Sequence, residues 1–320
     1  MNDGAPAIQA QGLACHFGDI RAIEDVSFTV RPGELFGLVG PDGAGKTTLL
    51  RMLAGVLNPD AGDAQLFGVS VVRDPESVKH EIAYMPQRFG LYTDLTVMEN
   101  LMFYADLYQV PRRERPTRLE RLFHFSNLEP FRDRLAGALS GGMKQKLALS
   151  CALIHMPKIL LLDEPTFGVD PISRRDLWLI VHEMVEEGVT AVVSTAYMDE
   201  AERFDRVALL HEGRLLALDT PVALQQALTG EMLVVEVEAP RAARDLLKSH
   251  AQVRRVALFG DKLHVTVASA ATDAPRIEQA LRAADLRVLS ITHVEASLED
   301  VFIERMTVSA PALRAAGAPV

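Results

Sequence analysis

The residues Gly40, Pro41, Asp42, Gly43, Ala44, Gly45, Lys46 and Thr47 fit the spacing G-x-x-x-x-G-K-[ST], with Thr48 next in line. Residues of these types at this spacing are suited to holding phosphate. Glycines let the backbone curl so that its N–H groups converge on an anion. A helix that starts at such a loop adds the positive end of its dipole. Lys46 supplies a charge for β- and γ-phosphates, and Thr47 a hydroxyl for Mg²⁺. The flanks give the context this chemistry needs. "LFGLVG" before the loop is a short apolar run, expected to be a buried strand, and "TTLLRMLAGVL" after it sets Leu49, Leu50, Met52 and Leu53 on a helical face.

A second constellation is "ILLLDEP", an apolar run ending in Asp163 and Glu164. Carboxylates are rarely buried without partners, so packing alone explains them poorly. Beside a phosphate loop, Asp163 suits holding Mg²⁺ through water, and Glu164 suits polarising an attacking water. A third is "LSGGMKQKLAL", where Ser140, Gly141 and Gly142 precede a helix. By itself this is an ordinary serine-capped helix start. It is also a second place where free N–H groups and a helix dipole favour an anion.

The elements that must position these residues follow from patterning. "AIEDVSFTV" alternates as a half-buried strand does, "RPGE" is a turn, and "KILLLDEP", "TAVVST" and the hairpin-like "RVALLHEGRLLALD" restore strand character. Between them, residues 94–156 read as helices, including "TVMENLMFYADLY" and "RLERLFHFSNL". Strands alternating with helices predict a mainly parallel sheet covered on both faces. Beyond about residue 228, "MLVVEVEA", "VRRVALFG", "KLHVTVAS" and "LRVLSITHV" are strands, with "PRAARDLLKSH" and "DAPRIEQALRAA" as helices. That β-α-β-β-α-β order predicts a ferredoxin-like domain over 228–307. "SLEDVFIERM" then opens with a serine three residues before Asp300, close to a capping box. Residues 308–320, rich in Ala and Pro, read as a flexible tail.

Composition bounds the rest. The chain has 320 residues, 48% of them apolar, and a net charge of −10. The acidic balance disfavours a nucleic-acid partner. No apolar run reaches the roughly 18 residues of a membrane span, and the start lacks the features of a signal peptide. Cys15 and Cys151 lie far apart, which predicts neither a disulfide framework nor a zinc site. These features together predict a soluble, cytoplasmic protein.

Over about residues 7–225 the combined motifs resemble the nucleotide-binding subunits of ABC transporters. "GPDGAGKTT" matches that family's Walker A, "ILLLDE" its Walker B and "LSGGM" its signature. Gln87 in "YMPQ" matches the Q-loop glutamine, which in the family touches Mg²⁺. Asp170 in "FGVDP" matches the D-loop aspartate. Phe17 in "CHFG" stands where the family places an aromatic against adenine, although a core phenylalanine on a strand is the alternative. The resemblance implies an α/β P-loop NTPase of ABC type, a mixed sheet with a helical subdomain at about 89–156. It implies ATP and Mg²⁺ as ligands, with Lys46, Gln87 and Glu164 in catalysis and Thr47, Gln87 and Asp163 around the metal. It further implies a head-to-tail pairing with a second ATP-binding subunit, identical or not, in which Ser140, Gly141 and Gly142 meet the partner's ATP. An integral membrane permease is the other implied partner, placing the chain on the cytoplasmic face of the inner membrane. In the family "RFGLYTDLTVMENL" receives the permease; local packing of Phe89, Leu91 and Tyr92 is the alternative. The C-terminal segment resembles the extension of ABC-2-type exporters, including multidrug ones, and suggests a regulatory or dimer-stabilising role.

The sequence departs from the family pattern in two places. Asp42 replaces a common asparagine, and a carboxylate aimed at phosphates would repel them; a solvent-facing side chain would cost little. Ala196, in "STAYMDEAE", stands where the family has the H-loop histidine that contacts the γ-phosphate. His211, the next histidine, falls at the hairpin turn and is a poor substitute. The pattern resembles most the first ATP-binding half of tandem bacterial exporters, which can lack this histidine while the second half keeps it. Slow hydrolysis at the chain's own site, with a histidine-bearing partner, is one expectation; a homodimer in which Glu164 suffices is the alternative. The rival readings are a non-transport ABC ATPase and an ATP-sensing subunit with little hydrolysis.

Overall fold

The computed structural model describes residues 5–315, with side chains described as far as Thr307. The chain divides into two compact units, Met1–Asp219 and Thr220–Val320.

In the first unit, β1 (Ile8–Phe17), β2 (Ile20–Val30), β4 (Ala61–Leu66) and β5 (Val69–Ser70) form an antiparallel sheet in the order β2-β1-β4-β5. A mixed sheet is built from β3 (Leu35–Val39), β6 (Ile82–Met85), β7 (Ile159–Asp163), β8 (Thr190–Thr195), β9 (Arg206–His211) and β10 (Arg214–Asp219), in the order β10-β9-β3-β8-β7-β6. Its pairs are parallel except the β9–β10 hairpin. Every residue of β3, β7 and β8 is buried. That is why these segments read as unbroken apolar runs: a parallel sheet is covered on both faces. Helix α1 (Lys46–Leu53) packs on β7 and β8, and α6 (Pro171–Glu186) also reaches β8.

Between β6 and β7 lie α3 (Val97–Leu107), α4 (Arg115–Ser126) and α5 (Gly141–Leu153), preceded by the short α2 (Pro75–Val78). Helix α5 packs against α3, α4 and α6, and Lys146–Leu153 are all buried. A helix enclosed on all sides lies inside its domain. Helix α3 opens with a reciprocal cap: Thr96 Oγ1 accepts from Glu99 N–H at 3.1 Å, and Thr96 N–H donates to Glu99 Oε2 at 2.8 Å. One turn on, the buried Asn100 accepts from Tyr92 N–H and donates to the Tyr92 and Thr96 carbonyls at 2.9–3.0 Å. This side chain holds the preceding loop against the helix.

The second unit starts with α7 (Met198–Ala201) already past and α8 (Pro221–Gln226) capped by Thr220. Its strands β11 (Glu231–Val237), β12 (Val253–Phe259), β13 (Lys262–Val267) and β14 (Val288–Val294) are antiparallel in the order β12-β13-β11-β14. With α9 (Pro240–Leu247) and α10 (Ala270–Ala283) this is the ferredoxin-like order expected from sequence. Leu233, Val235, Leu247, Val265, Ile277 and Leu281 form its core. Helix α11 (Leu298–Ala315) follows, so the tail expected from 308 begins inside a helix, and 316–320 lie outside the described residues. Ser297 and Asp300 cap α11 reciprocally, with Ser297 N–H donating to Asp300 Oδ2 at 2.9 Å and Asp300 N–H to Ser297 Oγ at 3.3 Å. Among the described residues, no helix is long and apolar enough to cross a membrane.

Candidate functional site

Strand register brings the sequence motifs together. Val39 pairs with Thr195 and Asp163 with Ser194, so the chain leaves β3, β7 and β8 at one edge of the sheet. This edge, beyond the carboxyl ends of parallel strands, is where such folds bind ligands.

The loop after β3 needs its glycines. A Cβ on Gly40 would stand 2.2 Å from the Leu210 carbonyl oxygen, which is backbone and cannot yield. Gly45 has φ +100°, and its Cβ would meet Ile23 Cδ1 at 2.5 Å. Lys46, only 4% exposed, folds back over the loop. Its ammonium donates to the Gly40 and Pro41 carbonyls at 2.8 and 3.0 Å and lies 3.1 Å from Glu164 Oε1.

The carboxylates face the same cleft. Thr47 Oγ1 donates to Asp163 Oδ1 at 3.0 Å, and Gln87 Nε2 donates to Glu164 Oε2 at 2.9 Å. Asp163 is 1% exposed. Its charge, after burial itself, raises the nearby Tyr84 phenol above its ordinary value. Glu164 adopts φ +47°, a left-handed conformation that costs a non-glycine residue about 1–2 kcal/mol. Ser194 holds it there: its hydroxyl accepts from Glu164 N–H at 2.9 Å and donates to Asp163 Oδ1 at 2.7 Å. The cleft has a volume of about 370 Å³ and is lined by Asp42, Gly43, Gly45, Lys46, Thr47, Thr48, Gln87, Glu164 and Phe167. A hydroxyl beside one carboxylate is an oxygen-only donor set, which fits a hard cation such as Mg²⁺ that takes its remaining ligands from phosphates and water.

A buried carboxylate network lies behind the cleft. Glu200, 1% exposed, accepts from Thr166 Oγ1 and Thr195 Oγ1, each at 2.7 Å, and from Trp178 Nε1 at 3.3 Å. Arg174 Nε stands 3.8 Å from it. Thr166 follows Glu164, and Thr195 precedes Ala196, so one side chain ties together the two segments that flank the cleft. Sequence reading missed Ser194, Glu200 and Thr166, because their partners lie on other segments that only the fold brings together.

Other candidate residues lie elsewhere. Ser140 caps α5, accepting from Met143 N–H at 3.3 Å. Asp170 caps α6, accepting from Ile172 and Ser173 N–H at 3.1 and 3.0 Å. The Ser173 backbone N–H, then its hydroxyl, hold the Asp170 carboxyl below its ordinary value. A Cβ on Gly142 would lie 2.1 Å from Ser173 Oγ and 3.2 Å from Asp170 Oδ2, so the two helix starts touch at this glycine. Ser140, Gly141, Gly142 and Asp170 are not among the residues lining the cleft. Phe17 is 50% exposed and therefore not a core residue, and it too lies outside that lining. Asp42 is exposed and lines the cleft rim. Ala196 is half-buried just after β8, beside Thr195, whose hydroxyl accepts from Tyr197 N–H at 3.0 Å.

Comparison with known proteins places this geometry. The ABC transporter family matches residues 23–167, and the family "ATP-binding protein DrrA1-3-like, C-terminal domain" matches 220–306. The Nod factor export ATP-binding protein I of Paraburkholderia xenovorans is 36% identical over 299 residues, covering 93% of this chain and 96% of that protein. The chain belongs to the ABC transporter ATP-binding proteins. The "Probable multidrug ABC transporter ATP-binding protein YbhF" of Escherichia coli (strain K12) is 51% identical over 237 residues; these are 73% of this chain, and the chain spans only 41% of that relative's length. Among solved structures, an ATP-binding subunit of an ABC transporter is 31% identical, with a TM-score of 0.63, over 69% of this chain and 92% of the other. A dimeric ATP-binding cassette in a post-hydrolysis state, bound to ADP and Pi, is 25% identical, with a TM-score of 0.60, over 67% and 98%. ABC ATP-binding proteins are ATPases, and the fold here is their P-loop fold with its mixed sheet.

Proposed function

We propose that this chain is the ATP-binding subunit of an ABC exporter, driving a separate membrane permease from its cytoplasmic face. The observation that carries the reading is the convergence of Lys46, Glu164, Gln87, Thr47 and Asp163 on one cleft at the carboxyl edge of the sheet. Export, rather than import, is supported by the names of the relatives and by the match of the C-terminal unit.

In this reading the loop Gly40–Thr48 cradles the phosphates of ATP with its N–H groups, and Lys46 neutralises the terminal ones. Thr47, Asp163 and Gln87 would hold Mg²⁺, which would supply positive charge beside the phosphates. Glu164 polarises the attacking water, and Ser194 fixes the backbone that aims it. Phe17 stacks on adenine. Ser140, Gly141, Gly142 and Asp170 lie outside the chain's own cleft, so they serve the ATP of a second ATP-binding subunit. The dimeric solved relative supports that pairing. The permease docks beside Gln87, where Tyr92 and Phe103 are exposed with rings 4.5 Å apart, while Phe89 packs inward on Tyr104. In this reading Tyr92 serves docking and Phe89 local packing. The C-terminal unit is regulatory or stabilises the dimer.

Ala196 makes the chain's own site slow, and the natural partner is a histidine-bearing second subunit. ATP turnover of the purified chain and of Ala196→His tests this. Low turnover that histidine raises about tenfold or more is expected, the size of regaining one transition-state contact. Fast turnover that histidine leaves unchanged would show that the site is not impaired.

A further inference from the structure

The C-terminal unit carries a cavity that the ATP chemistry does not use. It has a volume of about 210 Å³ and is lined by Thr229, Arg254, Arg255, Thr266, Glu304 and Thr307. Two of its polar atoms, Arg255 Nη1 and Thr266 Oγ1, are buried and have no hydrogen-bond partner. Thr266 is 7% exposed. Buried donors are almost always satisfied, and those that are not point to a missing partner.

The backbone explains why two arginines meet here. Val253 pairs with Val267 but Arg255 with Thr266, so Arg254 is an extra residue, a β-bulge in β12. A bulge re-aims side chains and breaks strict alternation. Arg254 and Arg255, which regular alternation would send to opposite faces, thus line one cavity. Gly230 borders the cavity: its Cβ would stand 2.4 Å from the Val267 carbonyl oxygen, 3.2 Å from Thr266 Cγ2 and 3.4 Å from Arg254 Nη1. The two guanidiniums outnumber the single Glu304 carboxylate. The Thr307 hydroxyl is already committed to the Ile303 carbonyl, at 2.8 Å.

We propose that this cavity is a phosphate-group site. Each guanidinium offers up to five N–H donors in a planar fork, and one carboxylate takes a single fork. A tetrahedral phosphate can accept two forks and the Thr266 hydroxyl together. The volume is below the roughly 300–1,000 Å³ of pockets that enclose whole drug-sized molecules, so the cavity takes a head group and leaves the rest of its bearer outside. That bearer is either a soluble phosphorylated metabolite or an anionic phospholipid.

The test is equilibrium dialysis of radiolabelled inorganic phosphate against the full chain. A Lys46→Ala background weakens anion binding at the ATP loop, so that it does not mask the second site. This variant is expected to bind phosphate at one site, and adding Arg255→Gln weakens that binding about tenfold or more, as loss of one charge-assisted contact does. Thr266→Val, which keeps the volume and removes the hydroxyl, weakens it too and decides the matter if Arg255→Gln does not fold. In the parent chain, with Lys46 intact, neither substitution changes ATP turnover. Competition by phosphatidylglycerol vesicles identifies a lipid headgroup; competition by glycerol phosphate but not by vesicles identifies a soluble ligand. No phosphate binding in Lys46→Ala, or binding that neither Arg255→Gln nor Thr266→Val weakens, overturns the proposal.

Discussion

Glu200 offers a quantitative test of how the site is held. It is 1% exposed and accepts three hydrogen bonds, from Thr166, Thr195 and Trp178, with Arg174 at 3.8 Å. Replacing it with alanine leaves these donors without an acceptor. Each buried orphan costs about 1–3 kcal/mol, but the two hydroxyls can rotate toward other acceptors while the indole N–H cannot. Arg174 is 28% exposed, so water takes over part of its loss. Glu200→Ala is therefore expected to destabilise the first unit by about 3–5 kcal/mol, as removing one partner of a buried charged network does. Glu200→Gln keeps the volume and one carbonyl, and costs about 1–2 kcal/mol. Urea unfolding followed by Trp178 fluorescence measures both. Trp178 is the chain's single tryptophan and lies in the first unit, so its signal reports that unit. At a slope of about 2–3 kcal/mol per molar urea, the alanine midpoint falls by about 1–2 M. A shift below about 0.5 M would refute the claim that this carboxylate fastens Thr166 to Thr195.

Other consequences follow from the same contacts. Gly142→Ala drives a methyl group to within 2.2 Å of Ser173 Cβ, and should destabilise the first unit by about 1–3 kcal/mol in the same urea assay; Ser173→Gly on that background should recover most of the loss. In the second unit, burial raises the Asp300 carboxyl, but hydrogen bonds from His264 and Ser297 outweigh it and hold the group below its ordinary 3.8. A pKa lower in the folded than in the unfolded chain gives stability that is present above pH 3.8 and lost as pH falls through the folded value. Asp300→Asn should therefore lose about 1–2 kcal/mol near neutral pH and match the parent in strong acid, read by thermal unfolding with circular dichroism.

The parts legible in the sequence are those that residue type dictates locally. Gly40, Gly45 and Lys46 define the loop because no other residues suit its backbone and charge. The serine caps at Ser140 and Ser297 were readable because capping is set within three residues. The ferredoxin-like order was readable from strand and helix alternation alone. What escaped depends on register. Ser194 looks like any polar residue in "TAVVST" until β8 lies beside β7 and sets its hydroxyl between Asp163 and Glu164. Glu200 resembles a solvated acid on a short helix, yet it is buried by contacts with segments far away in the chain. The Arg254 bulge is likewise invisible without β13 beside it.

Nucleotide binding at the loop is the claim on which the rest stands. Isothermal titration of MgATP into the purified chain and into Lys46→Ala tests it directly. The Lys46 ammonium is the buried cation of the cleft, bonded to the Gly40 and Pro41 carbonyls and to Glu164. The parent should bind MgATP, and the variant should bind about a hundredfold more weakly, the worth of one or two charge-assisted contacts to phosphate. Equal binding by both proteins, or no binding by the parent, would contradict the account.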